Sequence, residues 1–171
     1  EGESYEITSL RADLNCDGRH AEVSYTKDWE EDAARRDFTF NALYMDDEGD
    51  IYDYFEGKKD LDAGRVKFIG SAEERIKEDY LRILRLFRFY AYYGNEKLDK
   101  NQLDIVKNSR DGLANISGER IRAEMLKMLQ SENSEKLSES LRFMLDAKIL
   151  QKISSLDEQL WEVQRLKSLY D

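Results

Sequence analysis

Glu78-Asp79-Tyr80-Leu81-Arg82-Ile83-Leu84-Arg85-Leu86-Phe87-Arg88-Phe89-Tyr90-Ala91 is the stretch whose reading settles the architecture. From Tyr80 onward nearly every position other than the arginines is apolar or aromatic, and a helix apolar on most sides is largely buried. A long helix is therefore expected from about Lys77 to Tyr93, ended by Gly94. Asp79, Arg82, Arg85 and Arg88 recur every third residue. Each step of three falls about 60° short of a full turn, so on one continuous helix the four form a slanting stripe on one side.

A guanidinium cannot discharge itself, and burying it unpaired is very costly. Two kinds of anion can meet the stripe: the chain's own carboxylates, as a structural ion-pair network, or a polyphosphate that arrives with a base. Asp79 and Arg82 suit the second. A carboxylate accepts hydrogen bonds and a guanidinium donates them in a rigid fork. Cytosine and adenine both present an exocyclic amine beside a ring-nitrogen acceptor, which such a pair can match, whereas uracil and guanine reverse that pattern. The plain alternative is an i,i+3 salt bridge between the two side chains.

Downstream the pattern stays helical. Ser71-Ala72-Glu73-Glu74 is a capping box, and further helices are expected near 99–110, 118–130, 134–146 and 157–169. In the second of these Ile121, Met125, Met128 and Leu129 share one face and read as core. Upstream of about residue 70 the segments are short and alternating. Tyr5 to Arg11 reads as a strand, Asn15 to Gly18 as a turn, and Ala21 to Tyr25 as the returning strand. Ala42 to Met45 and Asp50 to Asp53 flank a hairpin tip at Asp46-Asp47-Glu48-Gly49, and Val66 to Ile69 reads as one more strand. The acidic tip does not have the spacing of an EF-hand loop. The fold class is thus α+β, a partial small β-sheet followed by an all-helical lobe.

Within the upstream half, between its two hairpin signals, lies Arg35-Arg36-Asp37-Phe38-Thr39-Phe40-Asn41-Ala42-Leu43. Arg36 is placed to reach phosphate or ribose, with Asp37 and Asn41 fixing it by hydrogen bonds; charged pairs at helix ends are the bland alternative. The chain carries 37 acidic and 27 basic residues, a net charge of −10, which argues against indiscriminate nucleic-acid binding and leaves room for a local basic site. Its single cysteine, Cys16, excludes an intrachain disulfide and reads as a small residue at a strand end. Its single histidine, His20, excludes a histidine-rich metal site. No apolar run is long enough to span a membrane, and a cytoplasmic protein is expected.

Four segments together resemble the class II tRNA nucleotidyltransferases (CCA-adding enzymes) and the bacterial poly(A) polymerases of the same superfamily. Residues 35–43 are similar to that family's RRDFTxNAL motif, and Asp53-Tyr54-Phe55-Glu56-Gly57-Lys58-Lys59-Asp60-Leu61 resembles its hinge-like D-P-F-x-G-x-x-D-L segment. Residues 78–89 are similar to the E-D-P-L-R-x-L-R-x-x-R-F motif, the amino-acid template for CTP and ATP. Leu113 to Leu129, with Ser117-Gly118-Glu119-Arg120-Ile121, resembles a later motif of the neck.

The resemblance implies a head-domain remainder over 1–70, nucleotide-reading neck helices over 71–130 and the start of a helical body over 131–171. It further implies that Arg36, Asp79, Arg82, Arg85 and Arg88 contact the nucleotide. Asp79 and Arg82 would read the base, Arg36, Arg85 and Arg88 would face phosphate or sugar, and Arg35, Asp37, Asn41 and Glu78 would support them. The implied partners are CTP, ATP and a tRNA 3′ end, and the reaction is addition of CCA with release of pyrophosphate. Poly(A), CC-only and A-only addition are the alternatives within the superfamily, and a non-catalytic nucleotide-binding or structural helical module is the alternative outside it.

Two departures stand out. The family's prolines are Tyr54 and Tyr80 here. The family's Asp-x-Asp strand, whose carboxylates hold magnesium, has no counterpart; Asp60-Leu61-Asp62 has the spacing but lies in the hinge-like motif. No catalytic or metal residue is therefore expected within the chain. It is expected to be inactive alone, its Mg2+ ligands lying in a segment that precedes it or in a separate chain.

Overall fold

A computed structural model describes residues 7–16 and 21–156. Two antiparallel hairpins open the chain. The first pairs β1 (Arg11–Cys16) with β2 (Ala21–Tyr25), Arg11 opposite Tyr25, with an irregularity between Asp13 and Cys16. The expected strand over Tyr5 to Arg11 is corrected: residues 7–10 are not strand, and the chain enters the sheet at Arg11. The turn expected from Asn15 is corrected in its first two residues, since β1 continues through Asn15 to Cys16; Asp17 to His20 and the helix expected over 157–169 lie outside the described residues.

The second hairpin pairs β3 (Leu43–Met45) with β4 (Ile51–Asp53), Tyr44 opposite Tyr52. Its tip is built by Asp46, whose carboxylate accepts the amides of Glu48 (3.1 Å) and Asp50 (2.9 Å), and by Gly49 at φ 93°. Local side-chain acceptors and a glycine with positive φ are what an acidic tip needs; no ion is required.

Between the hairpins runs α1 (Trp29–Ala34), capped by Asp28, whose carboxylate accepts the Glu30 amide at 2.8 Å. A 3-10 turn (Thr39–Ala42) follows and leads into β3. After β4 comes α2 (Gly57–Ala63). Here the hinge-like motif shows its physical content. Asp53 caps α2 by accepting the amides of Gly57 (2.7 Å) and Lys58 (3.0 Å). The buried Asp60 accepts the Thr39 hydroxyl at 2.8 Å and Arg65 Nε at 2.9 Å. Gly57 lies so close to the 3-10 turn that a Cβ there would sit 2.2 Å from the Thr39 carbonyl oxygen. Gly57→Ala is expected to cost about 1–3 kcal/mol through that overlap. Urea unfolding of the variant checks this, and an unchanged midpoint would show that the backbone yields freely.

The strand expected over Val66 to Ile69 is corrected: the segment joins no sheet among the described residues. It makes one antiparallel bridge, Phe38 to Phe68, and on its other side Gln102 stands in for a neighbouring strand. The Gln102 amide accepts the Phe68 N–H at 3.3 Å and donates to the Val66 carbonyl at 3.0 Å.

From Ser71 the chain is helical: α3 (Ala72–Glu78), α4 (Arg82–Tyr93), α5 (Lys100–Ser109), a 3-10 turn (Arg110–Asn115), α6 (Gly118–Leu129), α7 (Ser134–Asp146) and α8 (Ile149–Leu156). The single long helix expected over 77–93 is instead two. Asp79 leaves helical geometry at φ −152°, ψ 107°, and its carboxylate accepts the Leu81 amide at 3.0 Å. A short acidic side chain that captures a nearby backbone amide competes with helix continuation and caps the next helix instead. Tyr80 fills the break, its ring lying against the 3-10 turn; a Cβ on Gly112 would come within 2.0 Å of Tyr80 Cε1. Helix α4 is the central element, with Ile83, Leu86, Phe87, Tyr90 and Ala91 fully buried among α6, α7 and the aromatic pair Phe38 and Phe68.

Candidate functional site

An open cleft of about 440 Å³ lies between the start of α4, the segment after α1, and α6. Arg35, Arg36, Asp37, Asn41, Asp79, Leu81, Arg82, Arg85, Phe89 and Arg120 line it. Five arginines face two aspartates there, in a chain whose net charge is −10. Field lines from such a cluster focus in a concave site and attract a polyanion.

Each arginine is held by a carboxylate behind it. Asp32, fully buried on α1, is the anchor for two: one oxygen takes Arg35 (2.6 and 2.9 Å), the other takes Arg36 (2.8 and 3.2 Å). The same carboxylate accepts the Arg11 amide at 2.9 Å and the Tyr44 hydroxyl. Burial alone would raise its pKa, but the bonds from Tyr44, Arg11, Arg35 and Arg36 outweigh it and hold the group well below the usual carboxylate range. Asp37 is a second hub. Its Oδ1 accepts its neighbour's amide at Phe38 (3.0 Å) and the Asn41 side-chain amide (2.9 Å), and its Oδ2 accepts Arg85 Nε at 2.5 Å. Burial again opposes ionisation, and the Arg85 contact again prevails, so its pKa is lowered.

Arg82 pairs with Glu78 and donates to the Arg75 carbonyl at 2.9 Å, both through Nη1. Arg75 in turn ties α3 to the end of α1, donating to the Ala34 carbonyl at 2.7 Å. The i,i+3 salt bridge between Asp79 and Arg82 does not form: Asp79 Oδ2 instead accepts Arg120 Nη2 at 2.7 Å.

The structure therefore brings Arg35, Arg36, Asp37, Asn41, Asp79, Arg82 and Arg85 to one cleft, with Glu78 immediately behind it. The expected slanting stripe on one continuous helix is corrected at both ends. Asp79 enters from the break before α4 rather than from the helix itself. Arg88 is not among the lining residues; its Nε bonds to the buried Glu124 at 2.7 Å, and its guanidinium lies 4.1 Å from the Phe89 ring centre. Successive steps of about 60° carry it off the cleft side and onto α6. Three residues of the site were absent from the sequence-based assignment. Asp32 was detectable from the acidic first turn that follows the Asp28 cap. Arg120 and Glu124 were detectable as the polar flank of a helix whose core face is Ile121, Met125 and Met128.

The acidic groups of the cleft do not fit a magnesium ion. Each oxygen of Asp37 and of Asp79 already accepts from a nitrogen donor whose positive end would repel a cation, and among the described residues no cluster of three or more potential ligands is suited to a metal. No helix among those residues is long and apolar enough to cross a membrane.

Residues 1–67 match the family model described as the poly A polymerase head domain, and residues 97–160 match that described as a probable RNA and SrmB-binding site of polymerase A. CCA tRNA nucleotidyltransferase 1, mitochondrial, of Danio rerio is 48% identical over 139 residues, covering 80% of this chain and 32% of that protein. The crystal structure of the Bacillus stearothermophilus CCA-adding enzyme in complex with CTP shares the fold at a TM-score of 0.74 and 30% identity, covering 87% of this chain and 35% of that one. The Thermotoga maritima CCA-adding enzyme complexed with tRNA gives a TM-score of 0.61 at 26% identity, covering 72% of this chain and 30% of that one. The chain belongs to the superfamily of class II CCA-adding tRNA nucleotidyltransferases and poly(A) polymerases. It spans about a third of the length of these relatives.

Proposed function

We propose that this chain is the nucleotide-selecting part of a template-independent RNA nucleotidyltransferase that chooses CTP and ATP for addition of CCA to tRNA 3′ ends. The observation that carries the reading is the arginine-lined cleft with Asp79 at its edge. Its volume of about 440 Å³ suits a small-molecule site. Asp79 and Arg82 are held by different partners, so they do not neutralise each other and remain a fixed acceptor beside a fixed donor. Among the described residues only Nη1 of Arg82 is hydrogen bonded, which leaves Nε and Nη2 for a base. Arg36, whose side chain is 41% exposed, and Arg85 supply charge for phosphate and sugar. The similarity to an enzyme crystallised with CTP and to one complexed with tRNA supports the nucleotide and the primer. Magnesium, when bound, would activate the primer hydroxyl and stabilise departing pyrophosphate; the described residues offer it no site.

Arg82, Arg85 and Arg88 all have carboxylate partners inside the fold, and the alternative of a structural ion-pair network is favoured for Arg88, which lies off the cleft. Arg88 is paired with buried Glu124 and stacked on Phe89, away from the cleft, and is a packing residue in this arrangement.

Calorimetric titration of the chain with CTP, ATP, UTP and GTP tests the selection. CTP and ATP are expected to bind about tenfold or more tightly than UTP and GTP, the worth of a hydrogen bond to a charged group. Asp79→Ala and Arg82→Ala are each expected to erase the difference. Equal binding of all four nucleotides to the unsubstituted chain would remove the reading.

A further inference from the structure

We propose that Arg120, on α6, is the residue that sets base selection by orienting the carboxylate of Asp79. The inference deepens the reading of the cleft given above and rests on it. Asp79 is not carried by a helix; it sits in the extended break between α3 and α4, where backbone geometry alone does not aim its side chain. Two contacts aim it instead. Oδ1 accepts the Leu81 amide at 3.0 Å, which ties the carboxylate to the start of α4. Oδ2 accepts Arg120 Nη2 at 2.7 Å, a contact spanning 41 positions of sequence. An ionised carboxylate has about four acceptor sites on its two oxygens. One bond to each oxygen therefore fixes the plane of the group and still leaves a lone pair on Oδ2 for the exocyclic amine of cytosine or adenine.

Arg120 itself is placed by the packing of α6. Ile121, Met125 and Met128 bury one face of that helix, while Glu124, one turn after Arg120, reaches the arginines of α4. The helix is thus clamped to the cleft at two successive turns. Arg120 lines the cleft with its side chain 51% exposed, so its remaining donors point to the same space without the burial that would make it a core ion pair. Among the arginines of the cleft it is the one whose partner is the proposed base reader; Arg35, Arg36, Arg82 and Arg85 are held by Asp32, Glu78 and Asp37.

A positioning role and a phosphate-binding role make different predictions. If Arg120 orients Asp79, Arg120→Ala lowers the preference for CTP over UTP about tenfold and leaves UTP affinity within about twofold. Arg120→Lys keeps the charge but loses the planar fork, and restores the preference only in part. In an Asp79→Ala background, Arg120→Ala has no further effect on the preference, as a two-residue unit requires. Calorimetric titration of the chain and these variants with CTP and UTP, beside a thermal melt of each, reads all three. Equal weakening of both nucleotides by Arg120→Ala, or an unchanged preference in a folded variant, would overturn the proposal while leaving the cleft reading intact. Absence of any preference in the unsubstituted chain would instead sink the cleft reading, and this inference with it.

Discussion

Asp37→Ala is expected to destabilise the chain by about 3–5 kcal/mol, the cost of removing one member of a buried pair and stranding the other. Arg85 would lose its 2.5 Å partner while remaining 29% exposed, and Glu124, its other acidic neighbour, lies 3.8 Å away and is already bonded to Arg88. Asn41 and the Phe38 amide would lose their acceptor at the same time. The total stability of a domain is about 5–15 kcal/mol, so the loss would be a large share of it. Arg85→Ala is expected to cost less, because the carboxylate then keeps its two amide donors. Urea unfolding of both variants checks the order. A loss from Asp37→Ala no larger than that from Arg85→Ala would show that the carboxylate is not the hub.

The second large effect concerns Asp32 and acid. Asp32→Ala is expected to cost a similar amount, since two arginines, a tyrosine hydroxyl and a backbone amide converge on that one buried carboxylate. The sign of the pH dependence follows from the depressed pKa values of Asp32 and Asp37 in the folded chain. An unfolded aspartate titrates at about 3.9. Above that value the folded and unfolded states bind equal numbers of protons at these sites, and the full stabilisation is present. As pH falls below it, the unfolded state takes up protons first, and stability is lost progressively toward the folded values. Unfolding midpoints are therefore expected to hold from pH 7 down to about 5 and to fall steeply below about 4. Asp32→Asn, which cannot titrate, should flatten that fall while starting from a lower plateau. An acid limb of unchanged slope in Asp32→Asn would assign the sensitivity elsewhere.

Much of this molecule was legible in the order of its residues. Helices α5, α6 and α7 and the second hairpin lie within a residue or two of where periodicity and turn chemistry place them. Seven of the nine residues named for the site line one cleft. The misreadings share a cause: local patterns do not report what a side chain does to its own backbone. The spacing of Asp79 puts it on a helical stripe, yet its carboxylate captures the Leu81 amide and breaks the helix. The family's proline at position 80 carried that information, since proline favours the first turn of a helix and disfavours helical geometry in the residue before it. Val66 to Ile69 has strand composition but finds a glutamine side chain instead of a partner strand. The sequence shows Glu124 and Arg120 only as the polar flank of α6; their partners are 36 and 41 positions away, and the packing of α6 on α4 is what makes them site residues.

The contact between Tyr80 and Gly112 links two positions that are 32 apart in the chain, and it makes a statement about inheritance. With tyrosine at 80 in this position, no side chain fits at 112, because a Cβ would lie only 2.0–2.4 Å from three of its ring carbons. A compact proline at 80 removes that ring and frees the space over the 3-10 turn. The two sites should consequently vary as a pair among descendants of one ancestor: a bulky residue at 80 accompanied by glycine at 112, and alanine or larger at 112 admitted only where position 80 is small. A lineage passing from proline to tyrosine at 80 would have to acquire the glycine first, since the reverse order crosses a steric clash.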